Sequence, residues 1–263
     1  AFFILIPVVA PAIGKAIMDL FGWEAIFYLQ ILFALVIGVW YWRRQPETLH
    51  PEYKIPFSSH VFVDGLKELV RYKETLAFTV VSGLITGSFL VYLSASQHIF
   101  EDQYGLVDEF PYIFAGLAIS IGLATFLNGT LVLRFGMRKL AFTALTFFSG
   151  FAILYLALFW NSSNPSLIVL IAFLSVQFFC LGFVWGNIRS IAMEPIGHIA
   201  GIGAAITGFI STILSIPIAA YIGSFVQETV LPMFIGLAIC GLLSIAVFII
   251  MRRQALKQSK LIA

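Results

Sequence analysis

The side chains in this chain that could do chemistry are spaced for contact and not for bond making. Near the middle of its long apolar runs stand Ser82, Thr86, Ser120, Thr125, Gln177, Thr207 and Ser211, with Phe89, Tyr92 and Phe178 as aromatic neighbours. Hydroxyls, one amide and ring faces can hydrogen-bond to a small molecule and stack on it. They do not make a nucleophile with its base. The charged residues Asp19, Glu24, Arg189 and Glu194 fall at the ends of runs or in loops. An ionisable group inside a bilayer is the default proton carrier, and no carboxylate stands inside a run. The motifs G-x-S-x-G, H-E-x-x-H and the phosphate-binding P-loop do not occur. His50, His60 and His98 lack metal-ligand spacing. Cys180 and Cys240 sit in apolar runs and read as small packing residues. The expectation is a protein that is not an enzyme, holds no metal or cofactor, and contacts no nucleic acid.

Each polar residue has a plainer reading beside the functional one. Gln177 is the most expensive of them to bury in lipid, which makes it the best contact for a bound molecule. An interhelical hydrogen bond would account for it equally. Single Ser and Thr residues are commonly bonded to backbone or used in helix packing. Gly83-x-x-x-Gly87 and Gly182-x-x-x-Gly186 predict close helix contacts. Trp23, Trp40, Tyr41, Trp42 and Trp160 lie near run ends and read as interfacial anchors. A wide apolar cavity with few polar groups suits lipophilic cations or neutral drugs better than sugars.

The elements that must position these residues are set by composition. Hydrophobic residues make up 60% of the 263 and charged ones 11%, under half the charge of a soluble domain at about 25%. Lipid is the natural solvent for most of the chain. Eight runs are long enough to cross it, at 1–18, 24–42, 76–97, 111–133, 140–160, 167–189, 199–222 and 230–251. They are continuous and not alternating, so helices and not a barrel are expected. Of the 15 basic residues, 14 fall on one side of an eight-helix threading, and only Lys15 falls on the other. The positive-inside rule then places the linker 43–75 and the C-terminus in the cytoplasm. In that linker Phe62, Val63, Leu66, Leu69 and Val70 recur at helical spacing between Asp64, Lys67, Glu68 and Arg71, which predicts an amphipathic interfacial helix.

Four stretches, in order along the chain, resemble the major facilitator superfamily, and within it the drug:proton antiporters of the bicyclomycin/chloramphenicol-resistance type. The segment Pro7-Val-Val-Ala10-Pro11-Ala-Ile-Gly14, followed by Gly22-Trp23, resembles the fifth-helix antiporter motif Gly-Pro-x-x-Gly-Gly, with Ala10 and Lys15 in place of two glycines. Gln45-Pro46-Glu47-Thr48-Leu49 resembles the signature just after helix six. Asn128-Gly129 through Arg134, Gly136 and Arg138 resembles the second-half loop motif, with Leu133 where the acid would stand. Met193-Glu194-Pro195, Gly197, His198 and Gly201 resemble the segment joining helices ten and eleven.

The resemblance implies an all-α polytopic bundle holding about eight of the twelve helices of that fold, so that the chain would begin in helix five. It divides as 1–42 (helices five and six), 43–75 (linker), 76–251 (the second six-helix half) and 252–263 (a cytoplasmic tail). It implies a monomeric secondary transporter of the bacterial inner membrane that exports small lipophilic drugs or metabolites by proton antiport, its coupling residues lying in the first four helices. Pro7, Pro11 and Gly14 would bend and seal helix five. Gly129, Arg134, Gly136 and Arg138 would form a loop that locks one conformation, unless their charge only sets topology. Pro195, Gly197 and Gly201 would shape the ten–eleven turn. Substrate contacts would come from Gln177, Phe178, Ser82, Thr86, Phe89, Tyr92, Thr207 and Ser211. The alternatives are a permease for another small solute and a non-transporting eight-helix membrane protein.

Overall fold

The computed structural model describes residues 2–48, 50, 52, 59–161 and 164–262. The chain forms helices α1 (Phe2–Phe21), α2 (Glu24–Arg44), α3 (Ser59–Arg71), α4 (Lys73–His98), α5 (Phe110–Phe135), α6 (Met137–Phe159), α7 (Leu167–Met193), α8 (Ala200–Gly223) and α9 (Leu231–Ile262), and no strand among the described residues. A π-helical turn, Ile99–Gln103, follows α4, and a 3-10 turn, Glu194–Ile199, joins α7 to α8. Apart from the 13-residue α3, each helix has 20 residues or more. At 1.5 Å per residue, about 20 residues cross the roughly 30 Å hydrocarbon core.

Side-chain pairs fix the direction of every helix in the second part of the chain. Ser82 meets Ser211, and Gly83 and Gly87 face Leu214 and Ile218. Both numbers rise together, so α4 and α8 run parallel. Thr86 with Trp185 and Tyr92 with Phe178 pair rising with falling numbers, so α7 runs antiparallel to α4. Phe148 with Gln177 and Tyr155 with Phe173 make α6 antiparallel to α7, and Phe142 with Phe248 and Tyr155 with Phe234 make it antiparallel to α9, so that α9 is antiparallel to α4 as well. Gly182 faces Ala124 and Asn187 faces Asn128, so α5 runs parallel to α7. The continuous helical stretch Leu167–Gly223, 57 residues long, is therefore two crossings folded back at the 3-10 turn.

This alternation gathers the basic residues of the second part of the chain at one end. Lys73, Arg134, Arg138, Lys139, Arg189, Arg252 and Arg253 lie at one end. Residues 99–109 and 224–230 lie at the other and contain Glu101, Asp102, Asp108, Glu109 and Glu228 but no Lys or Arg. α1 packs on α5, with Lys15 bonded to Asp108 at 3.1 Å. The one basic residue that departs from the charge pattern thus has its own acidic partner. α3 packs at the start of α8, where Leu69 is buried with Ile196 and Ile206. Phe62, Val63, Leu66 and Val70 on the same helix stay exposed, an apolar surface suited to the membrane interface.

Most helices run a few residues longer than the apolar pattern predicts, α4 and α9 among them. α4 starts at Lys73, and α9 continues through the basic stretch after Met251 to Ile262. Residues 252–262 contain neither Gly nor Pro. Polar helix formers continue a helix beyond the apolar run that nucleates it.

Candidate functional site

Two groups of residues stand out in the bundle, one at mid-height and one at the basic end. The mid-height group is aromatic. Phe89 on α4 lies edge-on to Trp185 and Phe178 on α7, with ring centroids 5.0 and 5.6 Å away. Tyr92, one turn further along α4, lies edge-on to Phe178 at 4.7 Å and stacks on Phe114 of α5 at 6.1 Å. The indole Nε1–H of Trp185 donates to Thr86 Oγ1 at 3.1 Å. Thr86, Phe89 and Trp185 are half-buried, whereas Tyr92 and Phe178 are buried. The Tyr92 hydroxyl is buried with no hydrogen-bond partner among the described residues. The wall so formed has one hydroxyl, one indole and one phenol among its rings and no charged side chain.

These aromatics meet because glycine lets the flanking helices close. A Cβ at Gly182 would sit 2.5 Å from the Ile121 carbonyl oxygen and 2.6 Å from Ala124 Cβ, so only glycine allows α5 this near α7. Gly83 does the same for α4 against α8, where an added Cβ would lie 2.8 Å from Leu214 Cβ. Beside that contact Ser211 donates to Ser82 at 3.2 Å, both hydroxyls buried.

The residues singled out from sequence therefore divide. Thr86, Phe89, Tyr92 and Phe178 come together in one wall. Ser82 and Ser211 form a direct pair between α4 and α8. Gln177 lies elsewhere: it is buried in the α6–α7 contact, where its Nε2 donates to the Phe148 carbonyl at 3.0 Å and its Oε1 has no partner among the described residues. Thr207 donates back to the Gly203 carbonyl at 2.8 Å, the usual local bond of a helical threonine. Thr125 does likewise to Ile121 at 2.9 Å. Trp185 and Phe114 were missed. Trp185 stands inside its run, beside Gly182-x-x-x-Gly186, and that neighbourhood is the signal that could have marked it.

The basic end is organised around Arg138. Its Nη1 donates to Glu74 at the start of α4, and its Nη2 donates to Glu194 Oε2 at the end of α7, at 2.7 Å. The guanidinium also lies 5.9 Å from the Phe78 ring centroid. Leu133 leaves the loop without an acid of its own, and the acids arrive from two other helices instead. Gly136 makes the turn possible: it stands between α5 and α6 at φ +79°, where a residue with a Cβ is strained. Arg134 and Lys139 flank the Phe135 ring at 5.3 and 5.4 Å. Pro195 opens the 3-10 turn and cannot continue the backbone ladder of α7. The close contact in that turn is at Gly203, whose Cβ position lies 2.6 Å from Ile196 Cδ1, while Gly129, Gly197 and Gly201 meet nothing within 4 Å. His198 reaches Glu68 of α3 at 3.7 Å. Far from this end, α1 runs as one helix through Pro7 and Pro11, whose side chains lie outside the described residues, and the space beside Gly14 is open.

An all-helical bundle with apolar crossings, the basic residues of its second part gathered at one end and an uncharged aromatic wall at mid-height defines a multi-pass membrane protein. The sequence profile of the Major Facilitator Superfamily matches residues 1–219, and the chain belongs to that superfamily, whose members are transporters. It is 26% identical over 258 residues to a bicyclomycin resistance protein homolog of Haemophilus influenzae, covering 97% of this chain and 64% of that protein. It is 25% identical over 231 residues to an uncharacterized MFS-type transporter of Bacillus subtilis, covering 86% of this chain and 56% of that protein. It is 24% identical over 254 residues to the multidrug resistance protein MdtL of Klebsiella pneumoniae, covering 94% and 61%. The chain thus spans between 56% and 64% of the length of these relatives.

Proposed function

We propose that this protein exports small lipophilic compounds across the bacterial inner membrane by proton antiport, with alternating access. The observation that carries the reading is the wall of Thr86, Phe89, Tyr92, Phe178 and Trp185. Rings with few hydrogen-bonding groups favour flat apolar or cationic molecules through stacking and cation–π contact. They offer little to a sugar, which needs many donors and acceptors. Two relatives bear names of drug resistance, which supports the same class of cargo. Protons are the coupling ion in this reading, bound outside the aromatic wall. The protein acts as a monomer, with 1–42 and 76–251 as membrane parts, 43–75 as a linker and 252–263 as a tail. The basic end, with the linker and the C-terminus, faces the cytoplasm, because basic loops are retained there.

Arg138 is the locking residue at that end. It ties the α5–α6 turn to α4 and α7 at once, so the three helix ends separate only when both contacts break. Gly136 and Pro195 hold the two turns in shape. In this account Gln177 supports the α6–α7 contact.

The test is transport in inverted vesicles with an imposed proton gradient. Accumulation of a lipophilic cation such as ethidium, abolished by a protonophore, is the expected result. Movement of a sugar or an organic acid with no movement of the lipophilic cation would overturn the reading in favour of a permease for other solutes.

A further inference from the structure

The acidic end holds a histidine with an acceptor on each ring nitrogen. His98 is the last residue of α4. Its Nδ1 lies 2.5 Å from Asp102 Oδ2 on the π-helical turn. Its Nε2 lies 2.7 Å from the Gln227 carbonyl oxygen, in the connection between α8 and α9. A carboxylate and a carbonyl only accept hydrogen bonds. A neutral imidazole has one N–H and can satisfy one of them, whereas the imidazolium satisfies both. α4 has 26 residues, about 39 Å at 1.5 Å each, against a hydrocarbon core of roughly 30 Å. Its final residue therefore stands past the apolar core, and the ring is 40% exposed.

The surroundings contain other acceptors, and the cation at this end among the described residues, Lys15, is engaged by Asp108. Glu101 is held by Gln97 at 3.1 Å on the same turn. Glu228 and Ser224 belong to the α8–α9 connection. Asp108 and Glu109 precede α5, and Asp108 is bonded to Lys15. Tyr104 donates to the Pro165 carbonyl at 2.8 Å. Residues 99–109 and 224–230 carry no Lys or Arg. The Gln227 carbonyl also accepts from Gln103 at 3.0 Å, and Asn164 bridges Gln103 and the Val230 amide at 2.8 and 2.9 Å. Among the described residues His98 is thus the donor of this hydrogen-bonded joint whose side-chain type titrates near neutral pH.

We propose that His98 is a proton-binding site at the acidic end of the bundle, and that its doubly protonated ring clamps the end of α4 to the α8–α9 connection. Below the titration of the ring both bonds are made. As pH rises through it, one N–H is lost, one acceptor loses its donor, and the joint loosens. α4 and α8 are packed against each other through Gly83 and Gly87, so the clamp acts on the end of that pair. It responds to the pH on its own side of the membrane, and it does not depend on which compound is carried.

Val226 reports on the clamp, because it is next to Gln227 and 3% exposed. Val226→Cys in the full chain, with Cys180→Ala and Cys240→Ala to leave one thiol, is labelled in detergent with a maleimide from about pH 5.5 to about pH 8.5, a range that spans imidazole titration. Each rate is divided by that of the denatured protein at the same pH, which removes the chemistry of the thiol itself. The ratio should rise at least about threefold across the range. With His98→Gln it should be high and flat, and with Asp102→Asn the rise should move to lower pH. A flat ratio in the His98 protein, or an unchanged rise in His98→Gln, overturns the proposal. Should the variants fail to fold, C2-hydrogen exchange of His98 in the unsubstituted protein decides. A midpoint above about 6.5, the value of a free imidazole, supports the clamp, and one at or below it overturns it.

Discussion

Gly182 and Gly186 are both glycines, one helical turn apart in the same apolar run, yet alanine should have opposite effects at the two. At Gly182 a new Cβ would sit 2.5 Å from the Ile121 carbonyl oxygen, and ordinary contact begins at 3.4 Å. The shortfall is 3.4 − 2.5 = 0.9 Å, and the obstructing atom is backbone, which cannot rotate away. α5 and α7 must separate by nearly an ångström along that contact. Overpacking of this kind costs about 1–3 kcal/mol. Gly186 meets nothing within 4 Å, so alanine there brings only the helix-propensity gain of about 0.5–1 kcal/mol. With roughly 2–4 °C per kcal/mol for a domain of this size, Gly182→Ala should lower the unfolding temperature by roughly 2–12 °C. Gly186→Ala should leave it unchanged or raise it slightly. Thermal unfolding of the purified protein in one detergent reads both. Equal losses at the two positions, or no loss at Gly182, would refute the packing of α5 on α7 described above.

Three further outcomes follow from the same geometry. Gln177→Leu removes one interhelical hydrogen bond, worth about 0.6 kcal/mol in a membrane bundle, along with the orphaned Oε1, so thermal unfolding should shift by less than about 1 kcal/mol. Arg138→Gln breaks two half-exposed ion pairs worth about 0.2–1 kcal/mol each. A destabilisation of about 1 kcal/mol is expected by denaturant titration, and it should shrink in high salt. Gly136→Ala forces a Cβ onto φ +79° and should cost about 1–3 kcal/mol in the same titration.

The crossings were legible because the bilayer leaves few options. A run of about 20 apolar residues must be helical, and basic residues in alternate loops fix the threading. The 3-10 turn at Pro195 and the stop at Gly136 were marked by their own chemistry. What the residues do not reveal is the rotation of each helix about its axis. α7 is apolar on nearly every side, so little in its pattern separates the side facing a neighbour from the side facing open space. Gln177 and Phe178 are adjacent, yet one bonds α6 and the other stacks on α4. Contacts such as Arg138 with Glu74, or Trp185 with Thr86, join residues 64 and 99 apart. Such pairs exist only after the bundle assembles.

The central claim is that the aromatic wall, and not the buried amide of Gln177, meets the substrate. The most direct measurement is proton-driven uptake of a lipophilic cation by inverted vesicles containing Trp185→Ala, Phe89→Ala or Gln177→Leu at matched expression. Loss of a buried aromatic anchor costs 2 kcal/mol or more at a binding surface. The two wall variants should therefore lose at least about tenfold in kcat/KM, while Gln177→Leu stays within about threefold of the parent. Full transport by both wall variants, with loss in Gln177→Leu, would contradict the account.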